Sequence, residues 1–295
     1  MDPTLRIKTI ALLKERIVGL SPQMRMAAKY VIDHPADFGM DPIRDTARKA
    51  GVSTYTFVNM AKALGFSGFG DFRDPFRHAL VSGAPLRPVA RLEGIGADRA
   101  PQAELFRNAA QNGMSIVSRS LDQQNIEDMD ALATLLFGAR NVYVTAVRSS
   151  YAIAYYLHYV GRMALPTLQL IPRHQNSAID DLNDAGAGDV LIAITVTPYS
   201  RETIDACAFA RKKGLKLVFI TDSEIVSPDL DPEFTLATSV LSTHNFGCFS
   251  GMMSVVEVLL AFLMQRGGRA AQSRIKSYED VRIQNNAYWV AQKKH

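Results

Sequence analysis

A run of apolar residues ends in a cluster of hydroxyl side chains at residues 190–203, which read Val190-Leu-Ile-Ala-Ile-Thr195-Val-Thr197-Pro-Tyr-Ser200-Arg-Glu-Thr203. Because the apolar run is continuous and bounded by Gly188 and Pro198, it predicts a strand buried on both faces of a parallel sheet. Residues 200–214 then show a helical pattern, with Ser200 near the N-terminal cap and basic residues in the last turn.

The junction between this strand and this helix has the composition of an anion site. The first backbone N–H groups of a helix lack intrahelical partners, and the helix dipole favours negative charge there. Hydroxyl side chains add further donors, so the segment predicts binding of a phosphate or a carboxylate. The alternative is that the same hydroxyls serve only as turn and capping groups.

Apolar runs alternate with helical patterns through the C-terminal part of the chain. This alternation predicts an α/β doubly wound parallel five-stranded sheet with helices on both faces. If the strand order is 2-1-3-4-5, a ligand binds outside the carboxyl ends of the first and third strands. The five predicted strands are Val142–Val147, Leu168–Ile171, Val190–Thr195, Leu217–Thr221 and Phe234–Ala237.

Polar residues follow both of the strands that flank this switch point. We therefore expect two hydroxyl-bearing turns to meet in one crevice and to bind the ligand. The predicted ligand-binding residues are Arg148, Ser149 and Ser150 after the first strand, and Thr195, Thr197, Ser200 and Thr203 after the third.

Composition limits the class of protein. The 295 residues are 47% hydrophobic and include only two cysteines, Cys207 and Cys248, which predicts a globular protein in a reducing cytoplasm without a disulfide framework. The longest apolar stretch, Val255 to Met264, is too short to span a bilayer, and the N-terminus carries no export signal. No metal site is expected, because the histidines are scattered and no Cys/His pair has ligand spacing.

The formal charge of +4 lies entirely in the first 80 residues, which hold 12 Lys and Arg against 8 Asp and Glu, while the rest holds 21 of each. These residues carry only helical signals, and we predict three segments: a helical domain over 1–81, a Gly- and Pro-containing linker over 82–103, and the α/β domain over 104–295. A basic excess on a small domain is compatible with a polyanion partner, but a solvated surface explains it equally well.

Residues 42–66 have the spacing of a helix-turn-helix, with two short helices joined at Gly51. Ala47, Val52, Val58 and Leu64 are expected to supply the apolar contacts between them. In such a motif the second helix enters the major groove of DNA with its N-terminal side chains at the base edges. The predicted DNA-binding residues are Ser53, Thr54, Tyr55, Thr56, Asn59 and Lys62. An ordinary helical hairpin is the alternative.

Both halves resemble the RpiR-type bacterial transcriptional regulators. In the N-terminal half the resemblance rests on Leu20-Ser21-Pro22, the stretch from Ala47 to Ser53, and Leu64-Gly65-Phe66-Ser67-Gly68-Phe69. In the C-terminal half, Thr195-x-Thr197-x-x-Ser200 is similar to the Ser-x-Ser-x-x-Thr phosphate motif of their sugar isomerase (SIS) domain. The resemblance implies a flavodoxin-like SIS domain after an all-α helix-turn-helix domain.

The sequence departs from the family pattern at two places. Asn59 stands where the family usually has Arg, which changes the expected base preference. Ala146 and Arg148 replace the usual glycines of the first turn. Two roles are therefore open for Arg148: it clamps the ligand phosphate, or it fills part of the pocket.

We predict a transcriptional regulator that binds double-stranded operator DNA and senses a phosphorylated sugar or a related small anion, with no cofactor and no membrane partner. A homodimer or homotetramer is expected, with apolar helices such as Val255–Met264 in the subunit interface. The rival is an aldose–ketose sugar phosphate isomerase, which requires a general base. The candidates are Glu257 and His244, for which a structural role is the simpler interpretation.

Overall fold

The computed structural model describes residues 5–82, 101–174, 177–242 and 246–289. Most of the predicted linker and His244 lie outside these residues. The chain divides into two compact units, one comprising Met1–Ala97 with Ser223–Asp229, and the other comprising Asp98–Asp222 with Leu230–His295. Each unit has a hydrophobic core of its own.

The first unit is helical, as the sequence predicts. Its second helix begins at Pro22, where the Ser21 side chain accepts a hydrogen bond from the Met24 amide and a proline occupies the first helical position. The helices are α1 (Leu5–Arg16), α2 (Pro22–Asp33), α3 (Pro35–Met40), α4 (Ile43–Lys49), α5 (Thr54–Ala63) and α6 (Phe69–Ser82), with a single 3-10 turn at Ile17–Gly19.

Phenylalanine side chains form the centre of this helical core. The ring of Phe38 lies 4.9 Å from that of Phe76, 5.0 Å from that of Phe72 and 6.0 Å from that of Phe57, measured between centroids. These contacts join α3, α5 and α6. Large buried aromatic rings contribute both apolar area and favourable edge-to-face geometry, so this cluster fixes the orientation of α5.

The segment Ser223–Asp229 belongs to the helical unit although it is distant in sequence. The Ser223 hydroxyl donates to Asp33 at 2.7 Å, and Lys29 donates to the Ile225 carbonyl at 2.7 Å. The Ile225 side chain packs against the helical core. Burial raises the pKa of Asp33, and the neighbouring Lys29 acts in the opposite direction. The segment therefore completes a partly buried polar cluster.

The second unit contains the predicted sheet. Its strands are β1 (Val142–Thr145), β2 (Leu168–Ile171), β3 (Val190–Ile194), β4 (Lys216–Thr221) and β5 (Phe234–Ala237). All are parallel and lie in the order β2-β1-β3-β4-β5. The predicted strand order and the doubly wound α/β class are confirmed.

Helices cover this sheet on both faces, which explains why β3 is apolar at every position. Val190, Ile192 and Ile194 belong to a core cluster with residues of three helices. The intervening Leu191 and Ala193 are equally buried. The remaining helices of this unit are α7 (Pro101–Asp122), α8 (Ile126–Gly138), α9 (Ser150–Gly161), α10 (Ala178–Asp181), α11 (Arg201–Lys212) and α12 (Ser250–Gln284).

Part of helix α12 packs in the core of its own unit. The apolar side chains of Val255–Met264 are directed into the core of their own unit, where Val255, Leu259 and Leu263 are buried. The role of this stretch in a subunit interface stays a prediction. Within the described residues, none of the helices combines the length and the hydropathy that a bilayer-spanning helix needs.

Candidate functional site

The two predicted ligand-binding turns lie at the same edge of the sheet. Strands β1 and β3 pair in parallel, with Thr145 opposite Ala193, so the residues that follow them emerge side by side. The Arg148 guanidinium from the first turn lies 3.5 Å from the Glu202 carboxylate at the start of α11. The structure therefore brings the two turns together, whereas their role in ligand binding stays a prediction.

The first turn contains a backbone conformation that residues other than glycine rarely adopt. Arg148 has a φ of +55°, and its side chain is 68% exposed. Left-handed geometry costs a non-glycine residue roughly 1–2 kcal/mol. Ser149 is exposed and occupies the N-cap position of α9 without a side-chain capping bond, while Ser150 is buried. The Arg148 side chain is thus exposed at the sheet edge, and both roles predicted for it stay predictions.

The second turn divides its hydroxyl groups between the core and the surface. Thr195 and Thr203 are buried, Ser200 is half-buried and Thr197 is exposed. Ser200 is the N-cap residue of α11, as predicted, but its hydroxyl pairs with that of Thr203 at 2.8 Å rather than capping the helix. The Ser200 hydroxyl therefore does not bind the backbone amides at the start of α11.

Asp222 is a residue of this edge that the sequence analysis missed. It directly follows β4, the neighbour of β3, and both of its carboxylate oxygens accept from the Thr197 amide at 3.1 Å. The Thr197 and Thr221 hydroxyls each donate to Asp222 at 3.4 Å. An acidic residue immediately after an apolar strand was the available signal, by the same reasoning that pointed to Arg148.

The electrostatics of the edge follow from these contacts. The pKa of Glu202 lies below its usual value, chiefly because the carboxylate accepts a hydrogen bond from its own backbone amide, with the charge of Arg148 adding to the effect. The carboxylates of Glu202 and Asp222 therefore both accept hydrogen bonds from groups of the two turns. The edge combines amides, hydroxyls and an arginine, which are the groups that bind phosphate in proteins.

The predicted DNA-binding helix is held by a specific turn. Helix α4 ends with the Gly51 amide donating to Arg48 and the Val52 amide donating to Ala47, and Gly51 has a φ of +68°. This pattern is a Schellman motif, which requires a left-handed residue and therefore favours glycine. The Ser53 side chain then caps α5 by accepting from the Thr56 amide at 3.2 Å.

The predicted contact residues of α5 lie on its outer surface. Tyr55 is 71% exposed, and Lys62 and Thr54 are exposed as well. Thr56 and Asn59 are half-buried, and Ser53 is exposed, although its hydroxyl also contacts that of Thr56 at 2.9 Å. The face that points inwards is formed by Phe57, Met60, Ala61 and Leu64.

One predicted contact of this motif is wrong. Val58 is only half-buried and does not belong to the helical core, whereas Phe57 is completely buried. The helical period therefore places the inward face one residue earlier than we expected. Ala47, Val52 and Leu64 do pack in this core.

The remaining candidate groups have structural contacts. Glu257 is exposed and accepts a hydrogen bond from the Tyr156 hydroxyl, which raises the pKa of Tyr156. Burial lowers the pKa of His158 and raises that of the Cys207 thiol to about 12, so Cys207 behaves as a small apolar residue. The described residues contain no group of three or more His, Cys, Asp or Glu side chains that could hold a metal ion.

Comparison with known proteins assigns the C-terminal unit. Residues 135–265, which contain the whole sheet and both turns, match the family model described as "SIS domain". This part of the chain is similar to a SIS domain. The matched range contains α9, α10 and α11 and extends into the buried part of α12, whereas most of α8 precedes it.

Similar proteins span more of the chain. The "Bifunctional protein glk" of Paraburkholderia xenovorans is 26% identical over 247 residues, which are 83% of this chain and 37% of that protein. The chain thus matches little more than a third of the length of this curated relative.

Two solved structures share the fold. The RpiR transcription factor of Sphaerobacter thermophilus (sugar isomerase domain) has 22% identity and a TM-score of 0.55, covering 60% of this chain and 99% of that one. The Vibrio vulnificus NanR protein complexed with ManNAc-6P has 19% identity and a TM-score of 0.55, covering 93% of this chain and 98% of that one. The second likeness includes the helical region as well as the SIS domain.

Proposed function

We propose that the chain is a bacterial transcriptional regulator that binds operator DNA through α5 and senses a phosphorylated sugar or a similar anion in its SIS domain. One observation carries this proposal. The same chain contains an exposed polar face on α5, directly after the turn at Gly51, and a region similar to a SIS domain. The likeness to a structure named as an RpiR transcription factor supports a regulator over a free-standing isomerase. A regulator of this kind acts in the cytoplasm.

The DNA-binding role assigns different tasks to the residues of α5. Tyr55 and Asn59 are placed to contact base edges, and Lys62 to contact a phosphate. A phosphate contact releases about one counterion, so its loss weakens binding to all sequences and lowers the salt dependence by about one unit of slope.

A gel-shift assay of the full chain on its own upstream DNA tests this role. We expect Lys62→Ala to weaken binding and to reduce the salt slope, and Asn59→Ala to weaken binding only to the specific site. Lys212→Ala, an exposed lysine on α11, is the matched control and should bind as the unmodified chain does. Failure of the full chain to bind any upstream fragment would remove the regulator proposal.

The effector-binding role belongs to the two turns at the sheet edge. Amides and hydroxyls of the second turn would donate to a phosphate, and Arg148 would add a charged contact from the first turn. NanR was solved with ManNAc-6P, so this sugar phosphate is one useful member of a screening panel. A ligand that binds only the folded state raises the melting temperature by mass action.

Thermal-shift screening and calorimetry test the effector role. Each charge-assisted hydrogen bond contributes about 1.5–3 kcal/mol, so Thr197→Ala with Ser200→Ala should weaken sugar phosphate binding at least tenfold. The control is Ser118→Ala with Thr134→Ala, which removes a half-buried hydroxyl from α7 and an exposed hydroxyl from α8. If the first double variant responds to sugar phosphates as the unmodified chain does, the turns are not the sensor.

We also propose that the regulator is a homodimer or a homotetramer. One helix-turn-helix reads too few base pairs for useful specificity, whereas two can read half-sites about one helical turn apart. Light scattering of the full chain at micromolar concentration should give a dimer or a larger species, and a clean monomer would contradict this.

A further inference from the structure

Asp222 differs from the other buried or half-buried carboxylates of its unit in what holds it. Asp189 and Asp181 each form an ion pair with an arginine, whereas Asp222 makes no ion pair within the described part of the chain. Its contacts are the Thr197 amide and the hydroxyls of Thr197 and Thr221. A carboxylate held in this way depends entirely on neutral donors.

The same donors are the ones that a phosphate group would use. Backbone amides and hydroxyls bind carboxylate and phosphate oxygens with the same geometry, so the two acceptors compete for one set of hydrogen bonds. Two negative charges within about 4 Å of each other also repel, so both cannot occupy the Thr197 donors together.

We infer that Asp222 is an internal competitor for the effector: its carboxylate occupies the donors of Thr197, and an entering phosphate group displaces it. This inference rests on the proposed function of the edge as an anion sensor. It assigns to Asp222 a specificity-determining role, because each phosphate contact with Thr197 replaces an existing contact of similar strength.

Competition of this kind selects against simple anions. A bare phosphate gains little, since it exchanges one charged acceptor for another and meets the negative charge of Asp222. A sugar phosphate compensates through contacts of its sugar with other residues. Specificity then arises partly from an unfavourable interaction that only the full ligand overcomes.

The test measures binding of inorganic phosphate to the full chain by calorimetry at constant ionic strength. Asp222→Asn removes the charge, and Asp222→Ala removes the acceptor as well. We expect both variants to bind phosphate at least tenfold more tightly than the unmodified chain. Asp205→Asn changes the net charge equally at an exposed position of α11, and its affinity should stay within twofold.

Nuclear magnetic resonance on the unmodified chain gives a second readout that does not depend on any variant folding. Addition of phosphate should shift both the Thr197 amide resonance and the Asp222 side-chain carboxyl resonance, because the first changes its acceptor and the second loses its donors. An unchanged Asp222 resonance at saturating phosphate would overturn the displacement.

The outcomes separate this inference from the proposed function. If the unmodified chain binds sugar phosphates but the Asp222 variants bind phosphate no more tightly, only the competitor role fails. If neither the unmodified chain nor the variants bind phosphate or any sugar phosphate, the anion sensor fails and the competitor role fails with it.

Discussion

The two edges of the sheet hold carboxylates in opposite ways. At the amino-terminal edge, the buried Asp189 side chain receives five hydrogen bonds of 2.6–3.1 Å from Arg140, Asn141 and Gly186. At the carboxyl edge, Asp222 receives neutral donors at 3.1–3.4 Å, and Glu202 lies 3.5 Å from its arginine. The contacts of Asp189 are short and include a charged partner, whereas a ligand can replace the longer contacts of Asp222 and Glu202.

Removal of Asp189 should have the largest effect on stability. Asp189→Ala leaves the Gly186 and Asn141 amides without their acceptor and leaves Arg140 without its partner, which should lower the free energy of unfolding by about 3 kcal/mol. Urea unfolding followed by circular dichroism measures this loss. Asp184→Ala, an exposed carboxylate close in sequence, should change the unfolding midpoint very little. Equal unfolding midpoints for the two variants would contradict the conclusion that Asp189 holds the amino-terminal edge firmly.

The pH dependence of stability tests the same carboxylate. Arg140 and the other donors lower the pKa of Asp189 in the folded state, although burial acts in the opposite direction. The carboxylate therefore stabilises the fold fully above its unfolded pKa of about 3.9, and this contribution disappears as the pH falls through the lower folded value. The difference in unfolding free energy between the unmodified chain and Asp189→Asn should shrink below about pH 4. A difference that stays constant down to pH 2 would show that the charge of Asp189 contributes nothing.

At the carboxyl edge, Arg148→Gly should separate stability from binding. Glycine adopts the left-handed conformation without strain but has more freedom in the unfolded chain, so the stability should rise by at most about 1 kcal/mol. The proposed role of Arg148 as a charged ligand contact predicts that sugar phosphate binding weakens when the guanidinium is removed. Tighter binding by this variant would instead mean that the side chain obstructs the site.

The smallest effect is expected for Glu202→Gln. The Arg148 pair is exposed on both sides and long, so its loss should leave the urea midpoint unchanged within error. A drop approaching that of Asp189→Ala would mean that the carboxyl edge is as firmly held as the amino-terminal edge.

The sheet could be predicted from the sequence because strands that are buried on both faces consist mainly of consecutive apolar residues. The continuous apolar run of Val190–Ile194 coincides with a strand that is buried at every position. The boundary between α2 and α3 is harder to predict, because Pro35 follows the end of one helix and occupies the first position of the next. The length of α12 was missed because the non-helical Gly268 interrupts it and most side chains beyond this residue are exposed.

For the candidate site, the sequence indicated which turns come together but not what occupies their donors. Parallel pairing of β1 and β3 follows from the strand order, so the proximity of Arg148 to the second turn was predictable. The bond between Asp222 and Thr197 joins residues 25 positions apart, and no periodicity encodes it. The pairing of the Ser200 and Thr203 hydroxyls depends on side-chain rotamers, which a motif does not specify.

The membership of Ser223–Asp229 in the helical unit limits how this protein can be cut or recombined. A gene fragment that stops at residue 82 encodes all six N-terminal helices but leaves out Ile225, which packs in their core, and Ser223, which donates to the partly buried Asp33. Exchange of N-terminal halves between similar proteins would likewise pair a new helical unit with the seven-residue segment of another protein. A complete helical unit therefore requires both the N-terminal helices and this segment, although two separate parts of the gene encode them.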